Sequence, residues 1–249
     1  MDDVKVLILC AGRGRRIGKG LPKSLINING KTILNRQLEE LNKLNIKSNN
    51  IYLVTGFKKR LFKEYNLKKF NNYFYQFTHQ VFSISRARKL TKFNRLLIIY
   101  GDILFSQEDL KKFLSINQDF IIGSYPNWKA LWKSRGFNKF EDLESFKINS
   151  KNKLIEIGNT IRKESDVQGQ FMGLLILNNS FFKIFIKNYF KFLRLYGFKK
   201  FFRLETTHFL NFLIKLNMNI SVYNFEKYFF EFDTQQDLEL YKKILGKNS

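Results

Sequence analysis

From Leu9 to Lys23 the sequence runs Leu-Cys-Ala-Gly-Arg-Gly-Arg-Arg-Ile-Gly-Lys-Gly-Leu-Pro-Lys. Glycines at 12 and 14 let backbone N–H groups come close to an anion and supply turns that other residues resist. Arginines within such a loop can hold phosphate through paired hydrogen bonds. Lys23, directly after Pro22, adds a compact point charge for the same purpose. The chemistry favoured by this set is the handling of phosphate. The spacing is not that of a P-loop, which needs G-x-x-x-x-G-K-[ST]. It also lacks the third glycine of a dinucleotide fingerprint.

Two carboxylates stand at suggestive places. Asp102 follows the apolar run Arg95–Tyr100 and Gly101, and Asp233 lies in Phe230-Glu231-Phe232-Asp233-Thr234. Taken singly, each is an ordinary helix cap or surface charge. A carboxylate at the end of a parallel strand is, however, where open α/β sheets place ligand-binding groups. The two histidines, His79 and His208, are too few and too far apart for a zinc site, which takes about four ligands.

The elements that position these groups follow from apolar patterning. Val4–Leu9 reads as a buried parallel strand feeding the glycine loop. Thr32–Leu44 places Ile33, Leu34, Leu38, Leu41 and Leu44 on one helical face, with Thr32 as cap. Ile51–Gly56, Arg95–Tyr100 and Phe120–Gly123 read as further strands, and Phe82–Leu90 and Leu110–Leu114 as helices. Strand–helix alternation predicts an α/β fold with a Rossmann-like, doubly wound, mostly parallel sheet. Ser145–Ile148 and Lys153–Ile157 flank a turn at 149–152 and read as a hairpin. Then come a strand at Gly173–Leu177 and a helical stretch from Phe181 to Phe202 broken near Gly197. A helix at His208–Leu216, a strand at Ile220–Tyr223 and a closing helix at Asp237–Leu245 complete the chain.

The chain has 249 residues, 28 of them Phe, enough to bury a real core and to exclude a disordered or collagen-like class. A single domain over residues 1–249 with an insert near 124–170 fits that length. Its 44 Lys and Arg against 21 Asp and Glu give a net charge of +23. Such charge fits a polyanionic or phosphorylated partner, although the basic residues are spread along the chain as composition bias would spread them. One Cys allows no internal disulfide, and the acidic start and the lack of any long apolar run fit a soluble cytoplasmic protein. Phe181–Arg203 holds seven basic residues, no acidic one and ten Phe or Tyr. It can be a helix packing its aromatic face on the sheet, or a peripheral contact with an anionic membrane.

The loop resembles the signature L-x-A-G-x-G-x-R-x-G…P-K of nucleotidyltransferases, which join an NTP to a phosphorylated small molecule in a GT-A-like fold. The resemblance implies that Leu9, Ala11, Gly12, Arg13, Gly14 and Gly101 surround the nucleotide. It gives Arg16 to the leaving pyrophosphate and Lys23 to the reacting phosphates, and it makes Asp102 and Asp233 the ligands of Mg²⁺. His79–Arg88 is similar to the N-x-x-S-L-x-x-A-R segment of phosphocholine and phosphonate cytidylyltransferases, with Gln80 in place of Asn, and implies Gln80 and Ser83 near the base. No G-T-x-G-A segment of sugar pyrophosphorylases occurs. Trp128, Trp132, Arg135, Glu144 and Gln170 follow in the order of the same subfamily and imply an acceptor site, where the tryptophans could hold a cationic head group.

The expectation is therefore transfer of CMP from CTP to phosphocholine, 2-aminoethylphosphonate, phosphoglutamine or a similar acceptor, with Mg²⁺, in a monomer or homodimer that reads no nucleic-acid sequence. A sugar-1-phosphate nucleotidyltransferase is the alternative enzyme. A non-enzymatic basic module explains the charge but not the loop and the two carboxylates together.

Overall fold

The computed structural model describes residues 3–18, 20–136, 143–201 and 205–246. All but one residue of β1, Val4–Cys10, are buried, as a strand covered on both faces requires. The chain continues through β2 (Asn27–Ile28), β3 (Lys31–Thr32), α1 (Ile33–Lys43), β4 (Ile51–Thr55), β5 (Lys68–Asn71) and α2 (Gln80–Arg86). Next come β6 (Arg95–Tyr100), β7 (Ile103–Phe105), α3 (Gln107–Ser115), β8 (Phe120–Tyr125) and α4 (Trp128–Arg135). After residues 137–142, β9 (Phe146–Ile148) and β10 (Leu154–Ile157) form the expected antiparallel hairpin, with Ile157 opposite Phe146. The remainder is β11 (Gln170–Asn178), α5 (Asn179–Phe201), α6 (Thr206–Lys215), β12 (Ser221–Asn224), β13 (Phe229–Glu231) and α7 (Gln235–Gly246).

Seven strands form the central sheet in the order β12-β8-β11-β6-β1-β4-β5. Every neighbouring pair is parallel except those of β11, which runs against both β6 and β8. The sheet is thus mostly parallel and α/β, as expected. The order places β4 and β6 on opposite sides of β1, so the chain switches direction there and opens a crevice at the carboxyl ends of β1 and β6.

Helices cover both faces. Val81, Ile84, Phe185, Phe209 and Leu213 pack from α2, α5 and α6 on one face. Leu34, Leu41, Leu110, Phe113 and Leu131 pack from α1, α3 and α4 on the other. A smaller cluster of Ile17, Ile26, Ile33, Leu104, Phe232 and Leu238 seats α7 against the glycine loop. Thr32 caps α1 by accepting the Asn35 N–H at 3.0 Å.

β11 carries a bulge between Phe171 and Leu175. Gly173 supplies the left-handed conformation there, at φ 72°, and lies so close to the Tyr100 ring that a Cβ would stand 2.5 Å from it.

α5 kinks at Gly197 as expected. It buries Phe182, Phe185, Tyr189 and Phe192 while Lys183, Lys187, Lys191 and Arg194 stay exposed. That is the amphipathic packing arrangement; residues 202 and 203 of the Phe181–Arg203 stretch lie outside the described residues. Among the described residues, no helix is long and apolar enough to cross a membrane. β5 and α4 depart from the sequence reading. β5 is an edge strand with one apolar residue among four, so it shows no burial pattern.

Candidate active site

Three segments meet at the crevice. The glycine loop leaves β1 and makes short 3₁₀ turns at Arg15–Ile17 and Lys23–Leu25. Asp102 follows β6, and Asp233 follows β13, which pairs with β7 just after Asp102. The Phe232 N–H donates to the Asp102 carbonyl at 3.0 Å, which fixes the two carboxylate segments side by side.

Lys23 joins all three. Its Nζ donates to Asp102 Oδ2 at 2.8 Å and to Asp233 Oδ1 at 2.5 Å. Burial by itself would lower the Lys23 pKa, but the two carboxylates outweigh it and hold the ammonium above the ordinary lysine value. Burial would likewise raise Asp233, and Lys23, Arg16 and Arg135 outweigh it to keep Asp233 below the usual carboxylate range. Arg16, more than half exposed, reaches Asp233 Oδ1 at 3.2 Å. Gly14 makes this approach possible: its φ is 60°, and a Cβ there would stand 2.7 Å from Lys23 Cγ.

Two hollows adjoin this cluster. A cavity of about 130 Å³ is lined by Leu9, Ala11, Gly12, Asn72, Gln80 and Ser83, among others. A larger cleft of about 470 Å³ is lined by Arg16, Lys23, Trp132, Arg135, Glu144, Gln170, Glu205, Glu231 and Asp233, with other residues. Gln80, Tyr100 and Asp102 face both. The geometry therefore makes two compartments with a shared wall at Asp102.

Most of the residues singled out in sequence converge here, with instructive exceptions. Arg13 is not among those lining either hollow; its guanidinium lies 5.4 Å from the centre of the Phe57 ring. Gly101 sits behind the cavity, where its N–H donates to the Leu9 carbonyl at 3.0 Å and a Cβ would stand 2.6 Å from that oxygen. Trp128 does not reach the cleft. It is buried in the core, its indole Nε1–H donating to the Val167 carbonyl at 3.1 Å, so packing accounts for it. Trp132 does line the cleft, but the Arg135 guanidinium lies 5.0 Å from its ring centre, so a cation already faces the indole. The Gln170 Oε1 is buried with no hydrogen-bond partner among the described residues, at the cleft wall.

Arg135 is a brace. Nearly fully buried, it donates through Nε to Asp237 Oδ1 at 2.7 Å and through Nη2 to Asp237 Oδ2 at 3.1 Å. It also stands 3.7 Å from both Glu231 and Asp233. Thr234 and Asp237 exchange the reciprocal bonds of a capping box at the start of α7. Glu231, in the same cleft, is pushed up to about 8 by burial and then by Asp233 and Asp102.

Sequence reading missed Glu231, Asp237, Tyr100 and Asn72. The pattern T-x-x-D at 234–237 was a legible capping signal; the others needed the fold. Tyr100 donates its hydroxyl to Thr206 Oγ1 at 2.5 Å, tying the end of β6 to the start of α6. Cys10 is buried beneath the loop, and that burial pushes its thiol up to about 12.

Comparisons with known proteins agree with this architecture. The CTP:phosphoglutamine cytidylyltransferase of Campylobacter jejuni is 27% identical over 95% of this chain and 98% of its own length. The bifunctional protein GlmU of Francisella tularensis subsp. novicida is 30% identical over 48% of this chain and 27% of its own. Among solved structures, the inositol-1-phosphate CTP transferase from T. maritima superposes with a TM-score of 0.72 at 16% identity, covering 98% of this chain and 96% of its own. The CTP:phosphocholine cytidylyltransferase from Streptococcus pneumoniae gives 0.70 at 18%, covering 98% and 99%. These two likenesses are of fold. Residues 6–144, which span β1, the glycine loop, Lys23 and Asp102, match the MobA-like NTP transferase domain, and the chain belongs to that family of nucleotidyltransferases.

Proposed function

We propose that this nucleotidyltransferase moves CMP from CTP to a small phosphorylated acceptor and releases pyrophosphate. One observation carries the reading: two compartments share a wall at Asp102, and Lys23 bridges Asp102 and Asp233 at their junction. The near full-length kinship to the Campylobacter jejuni cytidylyltransferase supports the choice of nucleotide and of acceptor class. A phosphorylated amino acid of the phosphoglutamine type is the acceptor that this kinship favours. Glu144 and Glu205 on the cleft wall would suit the amino group of such a molecule.

In this reading the nucleoside of CTP enters the smaller cavity and its triphosphate lies along the glycine loop. The acceptor phosphate enters the cleft and one of its oxygens attacks the α-phosphorus in line, opposite the departing pyrophosphate. Holding both reactants at one junction converts a bimolecular encounter into a local one. Lys23, kept cationic by its two carboxylates, neutralises charge that develops on the phosphates, and Arg16 meets the leaving group. No covalent enzyme intermediate is required.

The donor set fits Mg²⁺. Asp102 and Asp233 offer hard oxygens that already converge on a single cation, the Lys23 ammonium. Among the described residues no group of three or more His, Cys, Asp or Glu side chains could hold a metal. Two protein ligands suit Mg²⁺, which completes its shell with phosphate and water. When bound, Mg²⁺ supplies further neutralisation of the triphosphate.

The deciding experiment is pyrophosphate release with Mg²⁺, each of four NTPs being paired with phosphoglutamine, phosphocholine, 2-aminoethylphosphonate and hexose 1-phosphates. Turnover with CTP and a non-sugar acceptor is expected. Turnover with a sugar phosphate alone would replace the proposed acceptor class.

A further inference from the structure

A third hollow, of about 540 Å³, opens beside the loop that follows β4. Sites that take small molecules run to roughly 300–1,000 Å³. Leu61, Tyr73 and Tyr75 give the hollow apolar walls, and Lys58, Lys59 and Arg60 stand among them. Leu61 is 42% exposed and Tyr73 63%, so two large apolar groups meet water here. None of the lining residues is acidic, and no carboxylate among the described residues pairs with any of the three cations. The Lys59 ammonium stands 4.5 Å from the centre of the Tyr73 ring instead. Lys58 opens the turn at φ 45°, a conformation that residues with side chains resist and that collects at ligand clamps.

This hollow shares a wall with the smaller cavity of the candidate active site. Asn72 and Tyr75 line both. The Phe57 N–H donates to the Ala11 carbonyl at 3.1 Å, which bonds the loop after β4 to the glycine loop. Packing leaves no slack at that junction. A Cβ on Gly56 would stand 2.8 Å from Tyr75 Cβ and 2.9 Å from the same Ala11 oxygen. Leu21, which also lines the hollow, is two residues from Lys23. An occupant that presses on Tyr75 or Leu21 therefore presses on groups that shape the nucleotide side of the molecule.

We propose that this hollow is a second ligand site, for a small anion with a flat apolar body, and that its occupation is coupled to nucleotide binding through Asn72 and Tyr75. The charge selects the class of occupant. A second copy of this chain would bring the same three cations to the same place, whereas an anion meets charge that no carboxylate has claimed. The tyrosine and leucine walls suit an aromatic or similarly flat body, and the cations suit its phosphate, sulfonate or carboxylate. The site itself stands independently of the proposed use of CTP; only the coupling rests on that reading.

The probe is anilinonaphthalenesulfonate, a flat aromatic anion whose fluorescence rises on binding. It is titrated into the full chain, with its uncharged analogue phenylnaphthylamine beside it. The anion is expected to bind the more tightly; equal binding of the analogue would overturn the choice of an anion. Tyr73→Ala with Arg60→Glu removes one wall and reverses one charge, both on exposed side chains, and should weaken the anion about tenfold or more. An unchanged affinity in that double variant would overturn the site. So would a loss in Leu195→Ser, which alters an exposed apolar residue of α5 instead. Saturating CTP with Mg²⁺ should shift the probe's affinity about fivefold or more, to a fixed limit, and the probe should shift CTP affinity by the same factor. Displacement without limit as CTP rises would put the probe in the nucleotide cavity and overturn the proposal. Probe binding that ignores bound CTP would overturn the coupling and leave the site. Failure of CTP to bind at all would overturn the CTP reading and the coupling with it, while the double variant still decides the site.

Discussion

Asp237 Oδ2 accepts the backbone N–H of Asp233 at 2.9 Å while the same carboxylate holds the buried guanidinium of Arg135. A single side chain thus shapes the turn that presents Asp233 and anchors the cation beneath it. Asp237→Ala leaves Arg135 buried without its main counter-charge. The expected loss of stability is about 3–5 kcal/mol, measured by urea unfolding. Replacing both partners, as in Arg135→Met with Asp237→Leu, should recover part of it, since an apolar pair leaves no orphaned charge. A double variant no better than the single one would show that capping, and not the ion pair, is the larger effect.

Lys23→Met removes the cation that Asp102 and Asp233 share and leaves most of the surrounding apolar packing in place. If Lys23 acts on the reacting phosphates, turnover should fall by about 10²–10³-fold, the size seen when one transition-state donor is lost. The KM for CTP should change far less. Steady-state kinetics separate the two; a change in KM alone would confine Lys23 to binding.

Gly14→Ala strains the chain, because an L-residue resists φ 60° by about 1–2 kcal/mol, and the new methyl meets Lys23 Cγ. Activity should fall more than stability, since the displaced side chain is the one that bridges the two carboxylates. Parallel kinetic and thermal unfolding measurements check this.

Cys10 gives a pH prediction. Its thiol is pushed up to about 12 by burial, so it stays protonated at pH 8 and resists iodoacetamide in the native protein. In urea it should react at the rate of a free thiol with a pKa of about 8.5. The folded pKa exceeds the unfolded one, so this group's contribution to stability is complete below the unfolded value. It is lost as pH rises towards 12. Rapid labelling of the native protein at pH 8 would contradict the burial.

The sequence was most legible where function and local structure coincide. The glycine loop and Asp102 each follow an apolar strand, so their place at the carboxyl ends of β1 and β6 followed from periodicity, whereas Lys23, in a 3₁₀ turn, was singled out by the Pro22-Lys23 pair and the family resemblance. Thr32 was legible as a cap because its side chain bonds only three residues ahead. What could not be read was pairing at long range. Lys23 and Asp233 are 210 positions apart, and nothing local in either segment announces the other. Trp128 shows the opposite difficulty: its type suits a cation-binding wall as well as a core, and only the fold decides between them. Asn72 lies in a run of polar and aromatic residues with no apolar periodicity, yet its own side chain is buried. Edge strand β5 went unseen because its lysines carry no apolar alternation.

β11 enters the sheet against the direction of its neighbours, and its first residue, Gln170, lies opposite Tyr125, the last residue of β8. The whole stretch between them therefore leaves and returns at one doorway. It is felt at the far end of the chain all the same, because it carries Arg135, whose guanidinium holds Asp237 and with it the turn that presents Asp233.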